Sequence, residues 1–358
     1  MMTLICLISN KSINMANPFD DIKSWKIVFP IVIGLGVTIW MFMREYQPGM
    51  FDVFTFGAMS ILWFFMSFMM MAMRDVGYML RIRMLSEGEL SWKQAFRVIM
   101  LWEFTSAVTP SAVGGTSVAV LFVNKEGIPI GRSTGIVMVT SFLDELFFAL
   151  VFPVVVLLIG YSNVFGADST VEQGLAYFAW IGYTVKVVFI LFLSYGLFVN
   201  PQGLKTLLVT IFKLPILRRW SDKIGAVGDD LIATSQHFRS WSFSKWIKAF
   251  GATCISWIAR YWVVNTLIIA FMGIHYLGLG EHFIVFGKQL AMWIMMLVSP
   301  TPGGSGFAEW VFTEFLGGFT PEGTAVALAL CWRLVSYYPY LVMGAIIVPR
   351  WIKKLVSK

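Results

Sequence analysis

Arg333 is followed by Ser336, Tyr337 and Tyr340 at spacings of three, four and seven, so all four share one helix face. That polar face lies inside the apolar run 323–348, where a lone charge costs several kcal/mol. The planar fork of an arginine suits a phosphate. An ion pair with Glu309 or Asp144 is the competing role. Arg260 is a second phosphate candidate, with Ser256 one turn back and Asn265 five residues on. Its competing partners are Glu309 and Glu103. Asp144 and Glu145, with Thr140 and Ser141 each one turn back, form an acidic patch. The patch suits pairing with Arg333, holding a cationic headgroup or carrying a proton. Lys186 has Tyr183 as its one polar neighbour at helical spacing and is read as structural. Glu103 and Lys288 sit near the ends of their runs and are expected to reach the interface.

Two stretches of Ser, Thr, Pro and Gly interrupt apolar runs. Pro110, Gly114, Gly115 and Thr116 break the run 99–123, and Pro302, Gly303, Gly304, Ser305 and Gly306 divide 283–319. No helix interior favours such a mix. Irregular backbone cannot face lipid unsatisfied, so each stretch must be covered by protein or line a wet cavity. Thr116 or Ser117, and Ser305, are N-cap candidates whose helix starts favour an anion. His237, His275 and His282 do not cluster, and His275 and His282 are read as surface residues. Cys6, Cys254 and Cys331 lie far apart without zinc or disulfide spacing. No hydrolytic triad or phosphate loop occurs, so neither a metal nor a cofactor is expected.

The elements that position these residues follow from composition. Of 358 residues, 58% are hydrophobic and 13% charged, about half the charge of a soluble domain, with mean hydropathy +0.76. Several apolar runs reach the ~20 residues that cross a bilayer, without the alternation of a membrane β-barrel. The chain is therefore read as an all-α polytopic membrane protein. The net charge of +7 comes from Lys and Arg beside the apolar runs, as membrane topology requires, and not from a nucleic-acid surface.

Runs at 27–43, 53–73, 133–160, 174–199, 246–272 and 323–348 give six full spans. Arg74, Arg81, Arg83, Lys93 and Arg97 then read as a cytoplasmic cluster after the second span. The broken segments, near 97–123 and 283–319, have legs of about 10–12 residues, or ~15–18 Å, half of a ~30 Å core. As re-entrant hairpins, the first from the cytoplasm and the second from outside, they leave every basic loop on one side. That arrangement gives eight helical segments in an inverted repeat, the design of transporters with broken helices at a central site. Residues 1–26 and 349–358 are expected to be cytoplasmic, flanking one membrane domain at 27–348 in a multi-pass plasma-membrane protein. Met15 is as good a start as Met1. Segment 200–248 is basic, with apolar residues at helical intervals, and is expected to lie as amphipathic helix on the cytoplasmic surface.

Pro110–Gly115 with Asp144-Glu145, and Pro302–Gly306 with Glu309 and Arg333–Tyr337, resemble the lysylphosphatidylglycerol synthase transmembrane family. This is the flippase-like part of the bacterial multiple peptide resistance factor. The resemblance covers about 74–345. Thr116 stands where the family's first motif usually carries a glutamate. The resemblance implies movement of a lipid headgroup between leaflets, with a phospholipid or lipid-linked molecule as substrate. Bifunctional relatives carry an aminoacyl-transferase domain after the membrane part. None is expected before Lys358, which leaves room for a separate cytosolic transferase as partner. A membrane transferase acting on a lipid carrier and an ion-coupled transporter of a small polar solute are the alternative readings.

Overall fold

The computed structural model describes residues 56–109, 112–166, 170–211, 221–296, 304 and 306–356, with isolated positions between 36 and 54. The segment 1–26 and most of the run 27–43 lie outside these residues; Gly36, Trp40 and Met43 within that run are helical. Among the described residues the chain is all helix, without a strand.

Helix α1 (Ala58–Leu85) leads to a helical hairpin, α2 (Trp92–Val108) and α3 (Ala112–Lys125), and then to the long α4 (Ile130–Ile159). A short α5 (Tyr161–Phe165) precedes α6 (Thr170–Ser194), which ends in a π turn at Tyr195–Val199. The basic segment forms α7 (Pro201–Ile211) and α8 (Ser221–Arg239). Then α9 (Phe243–Met272), a second hairpin of α10 (Leu279–Met296) and α11 (Phe307–Leu316), α12 (Ala325–Ser336) and α13 (Tyr338–Val356) follow. The order long helix, hairpin, crossing helix thus occurs twice, at 58–159 and at 243–349. Five described helices are long and apolar enough to cross a membrane: 58–85, 130–159, 176–199, 243–272 and 325–349.

The surface is inverted relative to a soluble protein. Leu157 and Leu158 are 83% and 81% exposed, while Arg74 and Arg81 are 1% and 3% exposed. Apolar surface on that scale faces lipid, and charge is turned inward.

Local chemistry explains the breaks. Ser91 caps α2 and its N–H donates to Gln94 Oε1 at 2.9 Å, a capping box. Thr109 ends α2 in extended backbone (ψ 140°), which the following proline requires. Both hairpins are antiparallel. Arg97 meets Glu126 at one end of the first and Ser106 lies against Gly115 at the other. In the second, Met296 meets Gly304 at the tip and Lys288 lies over Phe315 near the base. The legs of the first hairpin have 17 and 14 residues, longer than expected. The last span is broken at Tyr337, where one continuous helix was expected. Pro339 has no N–H for the Val335 carbonyl, so the helix cannot run through.

Between helices in lipid no hydrophobic force acts, so close backbone approach matters. A Cβ at Gly77 of α1 would lie 2.3 Å from Ser256 Oγ and 2.9 Å from the Ala252 carbonyl of α9. One at Gly344 of α13 would lie 2.1 Å from the buried Phe104 ring of α2. Nothing lies within 4 Å of a Cβ at Gly251. Gly77→Ala and Gly344→Ala are therefore expected to lower the unfolding midpoint in detergent by the equivalent of about 1–3 kcal/mol. Gly251→Ala is expected to raise it by up to ~1 kcal/mol, because alanine favours the helix.

Candidate functional site

On α1, Arg74, Tyr78 and Arg81 recur at four and three residues and face inward together. Both guanidiniums lie 4.8 Å from the centre of the Tyr78 ring. They border a cavity of about 280 Å³ lined from α1, α2, α3, α4, α6, α9, α10, α12 and α13, and by Gly304 at the second hairpin tip. Thr109 and Thr116 reach it from the first tip, so the two hairpin ends meet at one space.

The charged residues around this space are cross-linked between helices. Arg81 forks onto Asp144 of α4 at 2.6 and 3.1 Å, and also donates to Thr253 of α9 at 3.0 Å. Trp257 Nε1–H donates to the same carboxylate at 2.7 Å. Lys186 of α6 donates to Glu145 at 2.6 Å. Arg74 contacts two carboxylates, Glu103 of α2 at 2.5 Å and its neighbour Asp75 at 3.1 Å. The Tyr340 hydroxyl lies 3.0 and 2.9 Å from the two Asp75 oxygens. The Arg74 Nε is buried without an acceptor among the described residues.

Arg333 Nε donates to Glu309 Oε1 at 2.9 Å, with both side chains at most 5% exposed. Glu309 also accepts the Gly306 N–H at 2.8 Å, which ties α12 to the start of α11. Gly306 has φ 82° and Gly304 φ 70°, the left-handed region that glycine alone enters freely. A Cβ at Gly304 would sit 3.9 Å from Arg333 Nη2, so this tip does lie beside Arg333. Tyr337 also lines the cavity and donates its hydroxyl to the Ala107 carbonyl at 3.0 Å.

Arg260 differs. It lines the cavity, half-buried, with its guanidinium 4.8 Å from the Trp293 ring centre and 5.8 Å from that of Trp257. Among the described residues it has no hydrogen bond or ion pair. The expected pairs with Glu309 or Glu103 are not formed, since those carboxylates serve Arg333 and Arg74. The undescribed tip residues, 110–111, 297–303 and 305, include no acid.

Several expectations are corrected. Arg74 and Arg81 do not follow the span as part of a basic loop; α1 continues past residue 73 and buries both. Glu103 faces the cavity and not the interface. Asp144 and Glu145 pair with Arg81 and Lys186 and not with Arg333. Thr116 is no N-cap, because α3 begins at Ala112 and places Gly114 and Gly115 in its first turn. His282 is buried, its Nδ1 2.7 Å from Asn265 Oδ1. Pro110, Pro302, Gly303 and Ser305 lie outside the described residues.

Removing one partner of a buried pair costs more than removing an unpartnered cation. Glu309→Ala takes the carboxylate from Arg333 and the acceptor from the Gly306 N–H, with an expected loss of about 3–5 kcal/mol. Arg260→Ala gives up its contacts with the Trp293 and Trp257 rings, worth about 2 kcal/mol, and is expected to lose less than Glu309→Ala. Thermal unfolding of the two variants in the same detergent checks this order.

Residues 27–344 match the family described as the lysylphosphatidylglycerol synthase TM region. A UPF0104 membrane protein of Archaeoglobus fulgidus is 26% identical over 279 residues, which cover 75% of this chain and 80% of that protein. No solved structure matches. With the match running across nearly all its helices, the chain belongs to the lysylphosphatidylglycerol synthase transmembrane-region family of multi-pass membrane proteins.

Proposed function

We propose that this protein carries a phosphate-bearing lipid, aminoacylated or polyprenyl-linked, between the leaflets of the plasma membrane, with both termini cytoplasmic. One observation supports this above the rest: Arg260, a guanidinium without a carboxylate among the described residues, faces a cavity reached by both hairpin tips. Arginine's fork fits two phosphate oxygens. The cavity, about 280 Å³, falls just below the ~300–1,000 Å³ range of ligand sites. It suits a headgroup whose acyl chains stay in the bilayer. The repeated element order favours alternating access, one hairpin gating each side. The transferase alternative asks for an uncommitted carboxylate pair, and Asp144 and Glu145 are held by Arg81 and Lys186.

Transbilayer movement of headgroup-labelled phospholipids in proteoliposomes tests the reading. Wild type is expected to exceed protein-free vesicles. Arg260→Ala is expected to fall at least about tenfold, the worth of a charge-assisted hydrogen bond at ~1.4 kcal/mol or more. Arg260→Lys keeps the charge and loses the fork, so an intermediate rate is expected. Protein-free rates for every lipid tested would sink the proposal. For the hairpins, single cysteines at Ser111 and Ser305 are expected to label with impermeant thiol reagents from opposite sides of the membrane.

A further inference from the structure

The charges around the cavity balance in number but not in connection. The cations are Arg74, Arg81, Lys186, Arg260 and Arg333. The carboxylates are Glu103, Asp144 and Glu145 on the wall, with Asp75 and Glu309 paired to wall residues. Three pairs are one to one: Arg81 with Asp144, Lys186 with Glu145, and Arg333 with Glu309. What is left is unequal. Among the described residues, Arg74 holds two carboxylates, Asp75 and Glu103, while Arg260 holds none.

Asp75 is held by Arg74 on its own helix and by the Tyr340 hydroxyl of α13. Glu103 of α2 is held by Arg74 and lines the same cavity as Tyr78, Arg260 and Tyr340. The charged groups of α4, α6 and α12 are occupied by the three one-to-one pairs. Arg260, the cavity cation without a carboxylate among the described residues, is the charge that balances this surplus. An anion seated on Arg260 takes that compensation away and leaves Arg74 alone with two negative charges. An uncompensated ion costs several kcal/mol in a low-dielectric interior, and a carboxylate escapes that cost by neutralising itself.

We infer that an anion binding at Arg260 brings a proton with it, held by Asp75 or Glu103, so that the protein couples anion movement to proton movement. The inference rests on the reading of Arg260 as the headgroup site. The proton comes from solvent, forms an O–H bond on one of the two carboxylates, and returns to solvent when the anion leaves. Arg74 keeps the other carboxylate as its counter-ion.

The test uses the full-length protein in detergent and a short-chain phosphodiester lipid as probe, whose own charge does not change near neutral pH. Calorimetric titrations in buffers of different ionisation enthalpy count the protons taken up. Wild type is expected to take up about one proton per bound probe near pH 7. Asp75→Asn and Glu103→Gln each leave Arg74 one carboxylate, so both are expected to fold. One of them is expected to bind the probe with proton uptake reduced to near zero. Binding by wild type without proton uptake would overturn the coupling and leave the headgroup site standing. Unchanged uptake in both variants would overturn its placement at this pair. Absence of probe binding by wild type at every pH would overturn the headgroup reading and the coupling together.

Discussion

A guanidinium inside a hydrocarbon slab costs several kcal/mol unless something answers its charge. The interior of this protein is arranged by that cost. Each one-to-one pair joins two elements: Arg81 and Asp144 hold α1 to α4, Glu145 and Lys186 hold α4 to α6, and Glu309 and Arg333 hold α11 to α12. Arg74 and Glu103 add α1 to α2. Helices in lipid have no hydrophobic drive to associate, so packing and polar pairs must do it. Pairs of this kind, with the close approaches at Gly77 and Gly344, fix which helix lies beside which.

Arg260 meets the same constraint differently. Its counter-charge is the face of Trp293, with Trp257 further off. A desolvated cation over an aromatic ring gains about 2 kcal/mol, less than a buried carboxylate supplies at good geometry. The platform is stiff, because the Trp257 N–H is committed to Asp144 and its ring is stacked with Phe147 and Tyr261. The guanidinium is thus held in place by rings, without a carboxylate among the described residues.

Much of this was legible in the sequence. Apolar runs of helical length gave the membrane class and most span positions, because bilayer thickness sets run length directly. The two Pro/Gly-rich breaks gave the hairpins, since no lipid-facing helix accepts them. Arg333, Tyr337, Asp144, Glu145 and Arg260 all line the cavity as ionisable or polar residues inside spans. Of the pairings, Arg333 with Glu309 was among those the sequence offered; the others were not legible, because a partner several helices away leaves no mark on local spacing. Arg74 and Arg81 were misplaced for a more instructive reason. Basic residues after an apolar run look like an interfacial anchor, but Tyr78, Met79, Leu80 and Ile82 carry the helix on. The spacing of Arg74, Tyr78 and Arg81 on one face was the available signal. The break at Tyr337 had its signal too, in Pro339.

The second hairpin tip obeys the same constraint. Glu309 is bound to Arg333 and to the Gly306 N–H at once, and Gly304 lies against Arg333. Any displacement of α11 relative to α12 therefore pulls on this buried pair, and breaking such a pair in an apolar setting costs about 3–5 kcal/mol. The charge constraint that arranges the rest of the interior thus also holds the start of α11 against α12.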